Sequence, residues 1–252
     1  MRRDERYTVG GHAEIEIELA AGSITMRAAE SGTVSVQVES SGSSELDLTQ
    51  IGDTIAIRQG RRGRSARVAI EAPVGTDLWV RGASIDVSAH GALGVLRSKT
   101  TSGDLQADDV VRLDVTMSSG DARIGTVRDE AQVATASGDV LIRSVGGRLN
   151  VTLASGDLRV EKVGGDVEAG TASGDVSISR FDGSAIAVRT VSGDVRIGLP
   201  SGIRVDPQIS TMSGSVRLPD GPSPVSATSG ERRQVRLRVR TVSGDIRVER
   251  AD

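Results

Sequence analysis

Apolar and polar residues alternate through almost the whole chain, in short runs broken by glycine, serine and aspartate. Residues 137–154 place apolar side chains at Val140, Ile142 and Val145, then at Leu149, Val151 and Leu153. The next eighteen residues repeat this pattern at Leu158, Val160, Val163, Val167, Ala169 and Thr171. A period of two over three to five residues, closed by turn residues, predicts strands. No stretch carries the period of a helix, so the pattern predicts an all-β protein.

The turns recur at a near-constant interval. Ser-Gly-Asp begins at Ser102, Ser119, Ser137, Ser155, Ser173, Ser192 and Ser243, with Ser-Gly-Ser at Ser213; successive spacings are 17, 18, 18, 18, 19, 21 and 30. Ser84-Ile85-Asp86 is a degenerate earlier copy. A fixed interval sets the same positions of each coil over those of the last. Coils stacked ~4.8 Å apart then merge their Val and Ile columns into one dry core. The prediction is a parallel β-solenoid of about 18 residues per coil, a rod roughly 40–50 Å long. A hexapeptide helix would repeat its apolar residue every six, but Arg148 stands where Ile142 should recur. Unequal faces, two or three per coil, fit better; handedness is left open.

Residues 13–72 alternate without the Ser-Gly-Asp register, as in Ile15, Ile17, Leu19 and Val34, Val36, Val38. They are expected to form an antiparallel β cap, because a bare coil edge invites aggregation. This divides the chain into residues 1–72, an N-terminal β region, and 73–252, the solenoid. The long last interval maps to a loop insertion near 219–233, rich in proline and serine. The final coil, Thr241 to Val248, shows no cap of its own and is expected to offer an edge for self-association. Extending the register backwards points Leu78, Val80 and Gly82 inward and Trp79 outward, where the N-terminal region is expected to cover it.

Composition narrows the function. The 252 residues include one Phe, one Trp, one Tyr, two His and no Cys, beside 31 Gly. Aromatic stacking platforms, disulfide scaffolds, Cys-ligated zinc and multi-histidine metal sites are thereby excluded. Small β-branched side chains suit a narrow core of stacked columns. The formal net charge is −3, so no global field draws the chain to nucleic acid or an anionic membrane. The sequence carries no apolar run of membrane-spanning length and no signal-peptide pattern, so the expectation is a cytoplasmic protein without membrane insertion.

The repeat builds one conspicuous constellation: Gly103-Asp104, Gly120-Asp121, Gly138-Asp139, Gly156-Asp157, Gly174-Asp175, Gly193-Asp194 and Gly244-Asp245. In register these aspartates form a carboxylate ladder. Its calcium reading, as a cation-binding module, is weakened by the second corner, which offers Arg148, Asp166 and Ser184 where ligands would have to repeat. Arginines two residues on, in Asp121/Arg123, Asp157/Arg159, Asp194/Arg196 and Asp245/Arg247, point to a structural turn ladder with charge partners on the same face. Arg232, Arg233, Arg236, Arg238 and Arg240 make the most basic segment, an interaction candidate beside Trp79. Without interleaved aromatics, nucleic acid is a poor fit there. Acids and arginines spread evenly along a repeat do not gather into one active site. His12 and His90 have no partners legible in the sequence. No catalytic residue, cofactor or metal is expected.

Units such as Thr171-Ala172-Ser173-Gly174-Asp175-Val176-Ser177-Ile178 and Thr241 to Val248, with the lead-in Val68 to Thr76, resemble the DUF4097 family of bacterial β-strand-repeat proteins, labelled as adhesins. The resemblance covers about residues 13–250. It implies a β-solenoid with no catalytic residues, some relatives being linked to the cell envelope and its stress responses. The coil length is also similar to that of bactofilins, which carry disordered tails absent here. The reading that follows is a non-enzymatic scaffold binding an unknown protein partner or assembling with itself. A ligand- or cation-binding module, using the aspartate ladder or the 219–233 loop, is the alternative.

Overall fold

A computed structural model describes residues 2–40, 46–60, 65–219 and 234–251. Among these every regular element is a strand. First come β1 (Arg2–Thr8), β2 (Glu14–Ala29), β3 (Thr33–Ser40), β4 (Leu46–Ile51), β5 (Thr54–Gln59) and β6 (Ala66–Pro73). Three long strands follow, β7 (Asp77–Ser102), β8 (Leu105–Ser119) and β9 (Ala122–Ser137). The coils then split in two: β10 (Val140–Val145) with β11 (Leu149–Ser155), β12 (Leu158–Val163) with β13 (Val167–Ser173), and β14 (Val176–Phe181) with β15 (Ala185–Ser192). The chain closes with β16 (Val195–Leu199), β17 (Arg204–Ser210), β18 (Val216–Arg217), β19 (Gln234–Arg240) and β20 (Ile246–Arg250).

Each coil contributes one strand to either side of the Ser-Gly-Asp turn. The strands entering the turn (β11, β13, β15) stack in parallel on one face, with Leu149 over Val167 over Ile186. Those leaving it (β10, β12, β14, β16) stack on the other, with Val140, Leu158, Val176 and Val195 in one column. Both columns point inward and are buried. Phe181, fully buried, continues the column of Val127, Val145 and Val163. Its ring tip lies where a side chain at residue 183 would begin, so glycine there makes room for the ring. The turn itself needs glycine for a second reason. Gly156 has φ of +122°, and a β-carbon on it would collide with the Gly138 carbonyl of the coil below.

The order of coils along the rod departs from their order in the chain at both ends. At the C-terminal end β19 pairs with β15 on one side and β17 on the other, and β20 likewise lies between β16 and β18. The coil of residues 234–250 is therefore internal, and 204–217 is the outermost coil among the described residues. This corrects the expectation of an uncapped final coil. The outer coil is built to end a sheet. Ser210 accepts a hydrogen bond from the N–H of Thr241 through its carbonyl, so alternation along β17 turns Pro207, which has no N–H, to the open side.

At the N-terminal end the same exchange occurs. β2 lies parallel between β7 on one side and β5 with β6 on the other. The antiparallel pairs are confined to the outside, β3 with β6, β1 with β3, and β4 with β5. Within residues 1–72 the sheet is thus mixed, parallel where it joins the rod and antiparallel at its edge. The edge strand β1 carries Arg2, Arg3, Asp4, Glu5 and Arg6, charges that oppose strand addition.

Candidate functional site

The aspartate ladder is continuous. The backbone N–H of Asp121 donates to Oδ1 of Asp104 at 2.9 Å, and that of Asp139 to Asp121 at 3.0 Å. The same bond joins Asp157 to Asp139, Asp175 to Asp157, Asp194 to Asp175 and Asp245 to Asp194, at 2.8–2.9 Å. It begins at Asp86, whose Oδ1 takes the N–H of Asp104, and ends at Ser215, whose N–H donates to Asp245 at 2.8 Å. One oxygen of each carboxylate is thus committed to the backbone of the next coil. The second oxygen of Asp121, Asp157 and Asp194 meets Arg123, Arg159 and Arg196 at 2.8, 2.7 and 3.7 Å. Arg247 departs from that scheme and turns to Glu249 at 3.4 Å. The Ser215 N–H and the guanidinium groups of Arg217 and Arg247 hold the Asp245 carboxyl below the usual carboxylate range.

Trp79 points outward from β7 and is 37% exposed. Its register neighbour on one side is Glu16, and Arg97, eighteen residues on, lies over its ring. The Arg97 guanidinium lies 4.4 Å from the ring centroid, a cation–π contact. Cover for the ring therefore comes from the following coil. The N-terminal region supplies Glu16, Glu18 and Arg58 to the wall of a groove of about 380 Å³ around it. Two ion pairs neutralise part of that wall, Arg58 with Glu16 at 3.6 Å and Arg97 with Asp114 at 3.8 Å. Arg81 and Lys99, on successive coils beside the indole, make no ion pair among the described residues, although Arg81 stands opposite Glu18 in register.

A second depression lies on the same face toward the C-terminal end, with a volume of about 410 Å³. Its floor is Ala185 and Ala187 of β15. Asp166 and Glu168 stand on the coil to one side, and Arg236 and Arg238 on the coil to the other. With Arg240 these arginines are exposed and alternate with buried Val235, Leu237 and Val239. None of the three is ion-paired among the described residues. Arg232 and Arg233, and all but the first residue of the insertion expected near 219–233, lie outside the described residues.

The two histidines do have partners. His12 Nε2 is 3.0 Å from Asp77 Oδ2, and His90 Nδ1 is 3.5 Å from Asp108 Oδ2. The second pair is seventeen residues apart, a relation the coil period could have revealed. Among the described residues no group of three acids or histidines is arranged to hold a metal ion, and no helix is long and apolar enough to cross a membrane.

The sequence profile of the Toastrack DUF4097 family matches residues 12–249, and the chain belongs to that family. No curated protein matches it significantly. Among solved structures it is similar to a "putative adhesin" from Bacteroides fragilis, at 10% identity and a TM-score of 0.46, over 98% of this chain and 97% of that one. It is also similar to a "putative lipid binding protein" from Parabacteroides distasonis, at 12% identity and a TM-score of 0.45, over 98% and 96% of the two chains.

Proposed function

We propose that this Toastrack rod is a non-enzymatic scaffold that holds a protein partner on the face entered by each coil before its Ser-Gly-Asp turn. The observation that carries this reading is the setting of Trp79. In a chain whose core is aliphatic apart from Phe181, the single indole is held at the surface and fixed by Arg97. It is flanked by Arg81 and Lys99, neither of which is ion-paired among the described residues. Rigid tryptophan and arginine beside a groove are the residues that most often dominate protein interfaces. The ends of the rod favour this reading over filament growth, since charges on β1 and the proline in β17 both oppose strand addition.

The test compares proteins retained from the native host by the wild-type chain and by Trp79→Ala. The reading requires at least one protein held by the wild type and lost with the variant, together with a shift in Trp79 emission when that protein is added. Identical sets of retained proteins would sink it.

A further inference from the structure

The depression over Ala185 and Ala187 has walls of opposite charge, and no side chain of the described residues fills it. From this geometry we infer a second docking site, for an extended protein segment whose side chains alternate between acidic and basic. Three features set that specificity. Arg236, Arg238 and Arg240 are successive outward residues of one strand, so their Cα atoms repeat every ~6.6–6.8 Å. Carboxylates at alternate positions of an extended partner repeat at the same interval, which lets each meet one guanidinium in a charge-assisted hydrogen bond.

The walls belong to the coils on either side of β15, two coil spacings apart, or ~9.6 Å. An extended chain lying along the alanine floor between them sends alternate side chains left and right. Those on one side meet Arg236 and Arg238, which are not ion-paired among the described residues although Asp206 stands beside Arg236 in register. Those on the other meet Glu168, whose exposed carboxylate would be shared with its ion-pair partner Arg189 at 3.7 Å. Asp166 is less available, because its Oδ1 accepts the N–H groups of Ser184 and Ala185 at 3.2 and 2.9 Å. A single-stranded nucleic acid fits this site worse. Its uniform negative charge would face Glu168 and Asp166, and the lining has no ring on which a base could stack. The partner class is therefore an alternating-charge strand.

The experiment uses the full chain and a labelled eight-residue peptide alternating aspartate and lysine. Comparators are the same peptide with every lysine replaced by serine and an eight-nucleotide single strand. Binding of the alternating peptide is expected to weaken by about tenfold or more in Arg236→Gln/Arg238→Gln. Glu168→Lys is expected to weaken the alternating peptide while leaving the serine comparator at least as well bound. These side chains are exposed, and an unchanged melting temperature separates loss of binding from loss of fold. Binding of the peptide that survives the double arginine change would overturn the inference, as would tighter binding of the nucleic acid or no binding at ~1 mM peptide. None of these outcomes depends on Trp79, so the two sites stand or fall separately.

Discussion

Oδ1 of Asp157 accepts the backbone N–H of Asp175 at 2.9 Å, and its Oδ2 meets Arg159 at 2.7 Å. One carboxylate thus joins two coils and an arginine of its own coil. Asp157→Ala leaves the Asp175 N–H without that acceptor and is expected to destabilise the rod by about 1–3 kcal/mol. Asp157→Asn retains a carbonyl acceptor and should cost clearly less. Urea unfolding of both variants measures this; equal losses would show that the bond to the backbone is not what matters.

Because one oxygen of each ladder carboxylate is already bonded to the next coil, the ladder is expected to hold without calcium. Melting curves with a chelator and with millimolar calcium should superimpose within about 1 °C. A calcium-dependent rise of several degrees, corresponding to more than about 1 kcal/mol of linked binding, would restore the cation-site reading.

Acid should loosen the outermost coil through Asp245. Its carboxyl titrates below the usual range because the Ser215 N–H and two arginines favour the charged form. A depressed folded-state pKa gives a stabilising contribution that is complete above the unfolded carboxylate value and is lost as pH falls through the folded one. Amide hydrogen exchange at Ser215, corrected for the intrinsic pH dependence, should lose protection only below the ordinary carboxylate range. Protection unchanged down to full protonation would refute the assignment.

Arg97→Ala should leave stability within about 1 kcal/mol, since a partly exposed cation–π contact is worth no more. The same change should shift Trp79 emission to the red and raise its quenching by acrylamide. With one tryptophan in the chain, the signal needs no deconvolution. Unchanged quenching would mean that Arg97 does not shield the ring in solution.

The C-terminal end of the rod can be made adhesive. Ser215→Asp supplies the carboxylate the outer coil lacks, and Pro207→Val restores an N–H on the open side of β17. The double variant is expected to show a mass that rises with concentration in sedimentation, under conditions where the wild type does not change. No association in the double variant would show that neither residue guards the edge.

Much of this architecture is legible once the repeat is counted. The period puts Asp157 under Asp175, Arg236 beside Asp206 and Trp79 outward between buried Leu78 and Val80, and the structure has each relation. It also puts Arg97 eighteen residues after Trp79, a contact that register alone could have supplied. Register does not say which coil neighbours which, because every coil offers the same columns. The exchanged order at the C-terminal end had two written signals, Pro207 in a strand and Ser215 in place of aspartate, both marks of a terminal coil. At the N-terminal end no comparable mark exists. Ile15, Ile17 and Leu19 alternate alike in a parallel or an antiparallel neighbour, and pairing was decided by contacts far along the chain.

The internal position of residues 234–250 has a consequence for how the rod is made. Residues 204–217 leave the ribosome first, yet they stack outside the coil that follows them. Growth one coil at a time, in the order of synthesis, therefore cannot reach the finished structure. The outer coil either waits without a partner or sits on β15 and β16 and is later displaced. On the first route the closing step is the docking of residues 204–217 on the C-terminal coil, and on the second it is an insertion between two layers. On either, the arrival of the C-terminal coil is the latch that lets the rod close.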